Sequence, residues 1–160
     1  MEAAAKHTAE AEGYAPRIRP DMSIGYGFTM APQYRPWFEK LGLNYDALAA
    51  GGAQLPRAAA MQLLRMRMLE NGRVLVRRIP RYGTLAPQAK AALMDWAYNA
   101  GPNAAYPKLM AAANSADYAG MRREIGTVAR APGLAAGMAA RTRARQALLD
   151  PLVPAQDRQD

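Results

Sequence analysis

The chain has no cysteine and only one histidine among its 160 residues. The absence of cysteine excludes disulfide bridges and thiolate ligands, and one histidine leaves little material for a zinc site. No apolar run approaches the roughly 18 residues that a helix needs to cross a bilayer. We therefore predict a domain that uses no metal or other cofactor and has no transmembrane segment.

The residues that are abundant are apolar and basic. Hydrophobic residues make up 51% of the chain, which suffices for one domain with a core. Lysine and arginine number 21 against 13 acidic residues, for a net charge of +8. Such a charge favours an anionic partner. Nucleic acid, acidic lipid headgroups and the bacterial cell wall all qualify. The alternative is that the charge serves solubility alone.

The pattern of residues predicts helices with one small sheet near the start. Residues 2–12 are rich in Ala, Glu and Lys and stop at Gly13, which predicts a short helix with a glycine cap. Residues 17–27 predict two short strands around a turn. Further helices are predicted from Pro56 onward and near 87–99, 103–113, 115–127 and 133–149, the last two introduced by Ser115 and Pro132.

These elements predict an α+β fold, with a small N-terminal β-hairpin lobe and a mainly helical C-terminal lobe. We place the domain at residues 1–149. Residues 150–160, which contain two prolines and mostly polar residues, are expected to form a loosely ordered tail.

Three arginines alternate along the last predicted helix, at Arg141, Arg143 and Arg145. Alternate positions on a helix point to more than one face, so we interpret these residues as solvated charges rather than as one binding stripe. A nucleic-acid-binding domain would explain the charge, but no recognised binding motif accompanies it. We therefore expect no nucleic-acid partner.

The most informative stretch combines two carboxylates with a glycine-rich strand. Glu12-Gly13 ends the first helix, Asp21 follows Glu12 after eight intervening residues, and Ser23 opens the sequence Ser-Ile-Gly-Tyr-Gly. Cleavage of a glycosidic bond needs one protonated carboxyl to donate to the leaving oxygen. It also needs a second polar group that holds water or stabilises the oxocarbenium-like transition state. This layout is typical of a carbohydrate-cleaving site.

In these residues the chain resembles the phage-type lysozymes, the endolysin muramidases of glycoside hydrolase family twenty-four. Members carry a helix-terminal Glu-Gly, an Asp at the same spacing and a Thr-Ile-Gly-Tyr-Gly strand. The segments 93–101, 112–118 and 132–134 resemble later parts of the family in the same order. The resemblance covers roughly residues 8–149 and implies a lysozyme-like fold.

The resemblance implies hydrolysis of the bond between N-acetylmuramic acid and N-acetylglucosamine in peptidoglycan. Glu12 would be the general acid, while Asp21 and Ser23 would orient the attacking water, with inversion at the sugar. Three further residues are candidates for the sugar groove, with core packing as the alternative for Tyr98. They are Tyr26, Tyr98 and Asn99.

The chain departs from the family pattern at three places. Only Met22 separates Asp21 from Ser23, where the family has several residues. Ser23 replaces the threonine, and Phe28 replaces a histidine. The shortened turn motivates an alternative, a cell-wall-binding or virion assembly module that keeps the fold without turnover. A lytic transglycosylase is a further enzymatic alternative, with Glu12 acting alone.

The first seven residues lack the basic start and apolar stretch of a secretory signal. We therefore expect the protein to reach the periplasmic cell wall from the host cytoplasm through a phage holin. The alternative is transport within a virion or a larger phage protein. As a domain it is expected to be a monomer.

Overall fold

The computed structural model describes residues 2–129 and 136–158 of the chain. They belong to two compact units, residues 1–69 and 70–160. One antiparallel pair of strands, β1 (Ser23–Ile24) and β2 (Phe28–Thr29), lies in the first unit. The helices are α1 (Glu2–Glu12), α2 (Arg35–Lys40), α3 (Tyr45–Ala49), α4 (Arg57–Arg78), α5 (Pro87–Ala100), α6 (Pro107–Ser115), α7 (Tyr118–Ala129) and α8 (Ala136–Leu149).

Helix α1 confirms the prediction for residues 2–12. Alanine favours the helix, and the residues that α1 buries recur one turn apart, at Ala4, Ala5, Thr8 and Ala9. The helix stops because Gly13 adopts a φ of +67°, a left-handed conformation that glycine reaches without a Cβ penalty. The chain therefore turns immediately after Glu12.

The hairpin lies later in the chain than predicted. Both strands were expected within residues 17–27, but β1 (Ser23–Ile24) pairs with β2 (Phe28–Thr29) around a turn at Gly25, Tyr26 and Gly27. The two glycines have φ values of +64° and +71°, so this segment forms the turn and cannot continue the strand. Residues 17–19 form no strand, so that part of the prediction is wrong. The segment nevertheless pairs with β1 and the turn, because Ala15 forms an isolated antiparallel bridge with Gly25 and the Arg19 amide donates to the Ser23 carbonyl oxygen.

An aromatic cluster forms the core next to the hairpin. Phe28 is buried, with its ring centroid 5.2 Å from that of Tyr34 and 5.6 Å from that of Phe38. Both pairs meet edge to face, which is a favoured arrangement of aromatic rings. Phe28, which stands where the family has a histidine, therefore anchors the hairpin by apolar packing.

Helix α4 is the longest helix, with 22 residues. It buries Leu63, Leu64 and Met68 and exposes Arg73 and Arg77 near its C-terminal end. None of the described helices combines the length and the apolar character that crossing a bilayer requires.

Helix α5 is the buried centre of the second unit, as predicted for residues 87–99. Its residues Ala91–Ala97 are all buried, and Trp96 is almost completely enclosed. Helix α8 packs against α5 and α7, and α7 also packs against α6. This arrangement explains why α5 is apolar around most of its circumference.

The start of α7 corrects a predicted cap. Ser115 was expected to cap a helix at 115–127, but it ends α6, where its hydroxyl donates to the carbonyl oxygens of Ala111 and Ala112. Asp117 caps α7 instead, because its carboxylate accepts a hydrogen bond of 2.8 Å from the amide of Gly120. The residues 132–134 and the predicted introduction of the last helix by Pro132 lie outside the described residues.

The chain continues past α8 with two short 3-10 turns, Asp150–Leu152 and Ala155–Asp157. Between them Val153 is 2% exposed, and its carbonyl oxygen accepts a hydrogen bond from Arg158. The chain thus has turns and packing contacts beyond α8. The domain boundary after residue 149 stays a prediction.

Candidate active site

The carboxyl of Glu12 lies against the turn of the hairpin. Glu12 is the last residue of α1 and is half-buried. A Cβ atom built on Gly27 would stand 2.5 Å from Oε2 and 3.0 Å from Oε1 of Glu12. The end of α1 and the turn between β1 and β2 therefore meet at this carboxyl.

Position 27 requires glycine for two independent reasons. Its φ of +71° is a conformation that residues with a side chain rarely adopt. Its missing Cβ also leaves the space that the Glu12 carboxyl occupies. At this position any other residue would meet backbone strain and a steric clash together.

Asp21 and Ser23 form a local hydrogen-bonded pair. The Asp21 Oδ1 atom accepts hydrogen bonds of 2.6 Å from the Ser23 hydroxyl and 3.0 Å from the Ser23 amide. Met22, between them, has a φ of +62° and closes a tight turn. Ser23 is 7% exposed, whereas Asp21 is exposed. The shortened connection therefore ties the aspartate directly to the first residue of β1.

These hydrogen bonds determine the charge state of Asp21. The Ser23 hydroxyl, and then the Ser23 amide, hold the pKa of the Asp21 carboxyl below its usual value, and the positive charge of Arg19 adds to the effect. Asp21 is therefore ionised at neutral pH and accepts protons rather than donating them.

The predicted groove residues are divided between the two units. Tyr26 is 6% exposed and lies in the hairpin turn, with its ring centroid 5.6 Å from that of Tyr14. Tyr98 and Asn99 are near the C-terminal end of α5, in the second unit, where Tyr98 is half-buried and Asn99 is exposed. The first unit thus contains Glu12 and the Asp21–Ser23 pair together with Tyr26.

Two arginines that were interpreted as solvated charges are buried. Arg141 Nη2 lies 2.8 Å from Asp95 Oδ1, and Arg145 Nε lies 2.5 Å from Asp95 Oδ2. Asp95 is 0% exposed, Arg141 7% and Arg145 1%. The interpretation was wrong because residues four apart share one helix face, and that face meets α5 here. Arg143, between them, is exposed as predicted.

The site offers two carboxyls in different surroundings. Glu12 is half-buried at the end of a helix, and Asp21 is exposed and held ionised by Ser23. Two carboxyls with unlike environments are what general acid and general base catalysis requires. Over residues 2–129 and 136–158, no three histidine, aspartate or glutamate side chains are grouped so that they could hold a metal ion.

Comparisons with known proteins identify the fold and the family of the chain. A family model described as phage lysozyme matches residues 9–146 of the chain. No curated protein sequence gives a significant match. Among solved structures, the active form of the P1 phage endolysin Lyz has a similar fold, with a TM-score of 0.69 and 16% sequence identity over 97% of this chain and 87% of that chain. The predicted lysozyme-like α+β fold is thus confirmed. The chain belongs to the phage lysozyme family, and its class of activity is that of a peptidoglycan hydrolase.

Proposed function

We propose that this protein is an N-acetylmuramidase, which hydrolyses the bond from N-acetylmuramic acid to N-acetylglucosamine in peptidoglycan. The observation that carries the proposal is the contact between the Glu12 carboxyl and Gly27, in a chain that matches the phage lysozyme family. This contact supports a fixed position for an acidic group at the hairpin turn. A fixed acid is the first requirement for cleavage of a glycosidic bond.

Glu12 is the general acid in this mechanism. Its carboxyl protonates the oxygen of the leaving sugar as the glycosidic bond breaks. The half-buried position at the end of α1, against the turn that contains Gly27, supports this role because it holds the carboxyl in one place.

Asp21 and Ser23 orient the attacking water. The Ser23 hydroxyl donates its proton to Asp21 Oδ1, so the hydroxyl oxygen is left to accept a hydrogen bond from water. The ionised Asp21 carboxylate then takes a proton as the water attacks the anomeric carbon from the face opposite the leaving group. This sequence gives inversion of configuration.

Three residues are proposed to bind substrate. Asn99 has an exposed amide that suits N-acetyl groups, and the half-buried ring of Tyr98 suits a pyranose face. Tyr26, which is 6% exposed, is among the residues that line an open pocket next to α1. The positive charge of the chain supports enrichment at the anionic wall.

The proposed substrate places the action of the protein at the cell wall. Passage through a holin-dependent lesion and delivery by a virion both remain compatible with that substrate. Activity as a monomer is also part of the proposal, because each proposed residue belongs to the same chain.

The test is digestion of purified peptidoglycan by the wild-type protein, followed by mass spectrometry of the soluble fragments. A muramidase adds water and releases fragments with reducing ends. A lytic transglycosylase releases anhydro ends by intramolecular attack, so its fragments are lighter by one water, about 18 Da. Proton NMR of the fresh products distinguishes inversion from retention by the first anomer that forms.

The second candidate is a wall-binding or virion assembly module without turnover. The specific observation in its favour is the shortened turn, which exposes Asp21 and commits its Oδ1 atom to Ser23. A protein of this kind sediments with peptidoglycan but releases no fragments from it. The same digestion experiment therefore separates the two functions.

A further inference from the structure

A concave site lies beside α1, in the first unit. It is an open pocket of about 390 Å³, which is within the size range of small-molecule sites. Glu12 is not among the residues that line it. The lining residues are Lys6, Ala9, Glu10, Gly13, Tyr14, Tyr26, Arg57 and Met61.

Charges of both signs stand at the rim of this pocket. Lys6 and Glu10 are four residues apart on α1, a spacing that permits an ion pair, yet they form none with each other or with other described residues. Both side chains belong to exposed residues. The pocket thus presents an anionic and a cationic group that a ligand could engage.

Arg57 forms no ion pair with another described residue and is held in position by an aromatic ring. Its guanidinium carbon lies 4.5 Å from the centre of the Tyr14 ring, which is a cation–π arrangement. The Tyr14 hydroxyl donates to the carbonyl oxygen of Leu55, which fixes the ring beneath the arginine. The planar donor groups of Arg57 are therefore preorganised for a carboxylate.

The pocket wall between these charges is apolar and aromatic. The rings of Tyr14 and Tyr26 lie 5.6 Å apart, and Met61 adds a flexible thioether surface. A short aliphatic chain with an ammonium group and a carboxylate at its end matches this combination. A polyanion matches it less well, because Glu10 would repel it.

We infer that this pocket binds the stem peptide of peptidoglycan through the amino-acid head of its diamino acid. Glu10 receives the ammonium group, Arg57 and Lys6 receive the carboxylate, and the two tyrosines cover the methylene chain. Tyr26 then contacts the peptide part of the substrate rather than a sugar ring. The inference deepens the proposed muramidase function and rests on it for the choice of polymer.

The probe for this inference is the synthetic tripeptide L-alanyl-γ-D-glutamyl-meso-diaminopimelic acid, titrated into the full-length protein and followed by NMR. Saturable shifts are expected at Tyr14 and Tyr26. Glu10→Gln and Arg57→Gln should each weaken binding about tenfold, the usual effect of losing one charge-assisted hydrogen bond. Matched substitutions outside the pocket, Glu39→Gln and Arg73→Gln, should leave the affinity unchanged.

Two modified tripeptides assign the partners. When the side-chain amine of the diaminopimelate is acetylated, Glu10→Gln should cause no further loss of affinity, because the ammonium group is already gone. When the carboxylate on the same carbon as that amine is amidated instead, Arg57→Gln should cause no further loss of affinity. Thermal melting of each variant verifies that it is folded. Absence of saturable binding, or equal affinity in all variants, would overturn the inference.

The failure of this inference is distinguishable from the failure of the proposed function. The wild-type protein is also assayed on peptide-free glycan strands. Cleavage of these strands without binding of the tripeptide refutes the peptide pocket and leaves the muramidase intact. Binding of the tripeptide with the predicted losses, but without cleavage of any wall substrate, supports the pocket and refutes the enzyme.

Discussion

The carboxyl of Glu12 occupies the space where every residue other than glycine would carry its Cβ at position 27. This relationship joins the end of α1 to the turn of the hairpin through one side chain. Gly13 provides an internal comparison, because its φ of +67° is similar and a Cβ there would meet nothing within 4 Å. Substitutions at these two glycines therefore distinguish the effect of backbone strain from the effect of displacing the Glu12 carboxyl.

We predict that Gly27→Ala and Gly13→Ala share the cost of a left-handed alanine but differ in activity. Each forces alanine into a left-handed conformation at a cost of about 1–2 kcal/mol. In Gly27→Ala the Glu12 side chain must also move aside, and a misplacement of about 1 Å can reduce catalysis roughly 100-fold. Urea unfolding and turbidity assays on purified peptidoglycan measure the two effects. Equal activity of the two variants would show that the contact does not position the acid.

We predict that Ser23 sets the acidic limit of activity. The pKa of Asp21 lies below its unfolded value because Ser23 donates two hydrogen bonds, so the carboxylate remains ionised to lower pH than a free aspartate. The activity that depends on this base is present above that pKa and lost as the pH falls through it. In Ser23→Ala the side-chain hydrogen bond is gone, and the acidic limb of kcat/KM should move to higher pH.

The pH profile of Asp21→Asn completes this test. An asparagine has no such titration, so the limb assigned to Asp21 should disappear together with most of the activity. If Ser23→Ala and the wild type share one acidic limb, Asp21 is not the group that titrates in catalysis.

The sequence predicted those elements that have strong local signals. Helix α1 ends where Gly13 stands, and α5 is apolar around most of its circumference, so both were predicted within one or two residues. The position of the hairpin in the chain was not predictable from strand propensity. It depends on the left-handed conformations of Gly25 and Gly27. A glycine can adopt positive or negative φ, so its presence in the sequence does not specify which one occurs.

The site residues show the same division between local and non-local information. Glu12, Asp21 and Ser23 were selected by motif spacing, and their catalytic roles stay predictions. The hydrogen bond between Asp21 and Ser23 follows from their closeness in the chain. The cluster around Asp95 was missed, because its ion pairs join residues 46 and 50 positions apart. Only the four-residue spacing of Arg141 and Arg145 could have indicated that they share one face.

We predict that Asp95→Asn is strongly destabilising. It removes the buried carboxylate to which Arg141 and Arg145 both donate hydrogen bonds, and loss of one partner from a buried ion pair costs about 3–5 kcal/mol. Arg143→Gln, on the exposed side of the same helix, should change stability by less than about 0.5 kcal/mol. Chemical unfolding of both variants measures the difference. Similar values for the two would mean that the cluster adds little to stability.

We predict that Asp117, rather than Ser115, stabilises the start of α7. Asp117→Ala removes the acceptor of the Gly120 amide and should cost about 1 kcal/mol, a typical value for an N-cap. Ser115→Ala removes only bonds to carbonyl groups at the end of α6 and should cost less. A larger loss in Ser115→Ala than in Asp117→Ala, measured by thermal unfolding, would contradict the observed cap.

The most direct measurement of the central claim is the rate at which Glu12→Gln releases fragments from purified peptidoglycan, compared with the wild type and with Glu39→Gln. Glutamine keeps the shape of the side chain but cannot act as an acid, so the rate should fall at least about 100-fold, in line with the contribution of general acid catalysis. Glu39, on the exposed side of α2, serves as the matched control and should retain the wild-type rate. A folded Glu12→Gln variant that digests peptidoglycan as fast as the wild type would contradict the role of Glu12 as the catalytic acid.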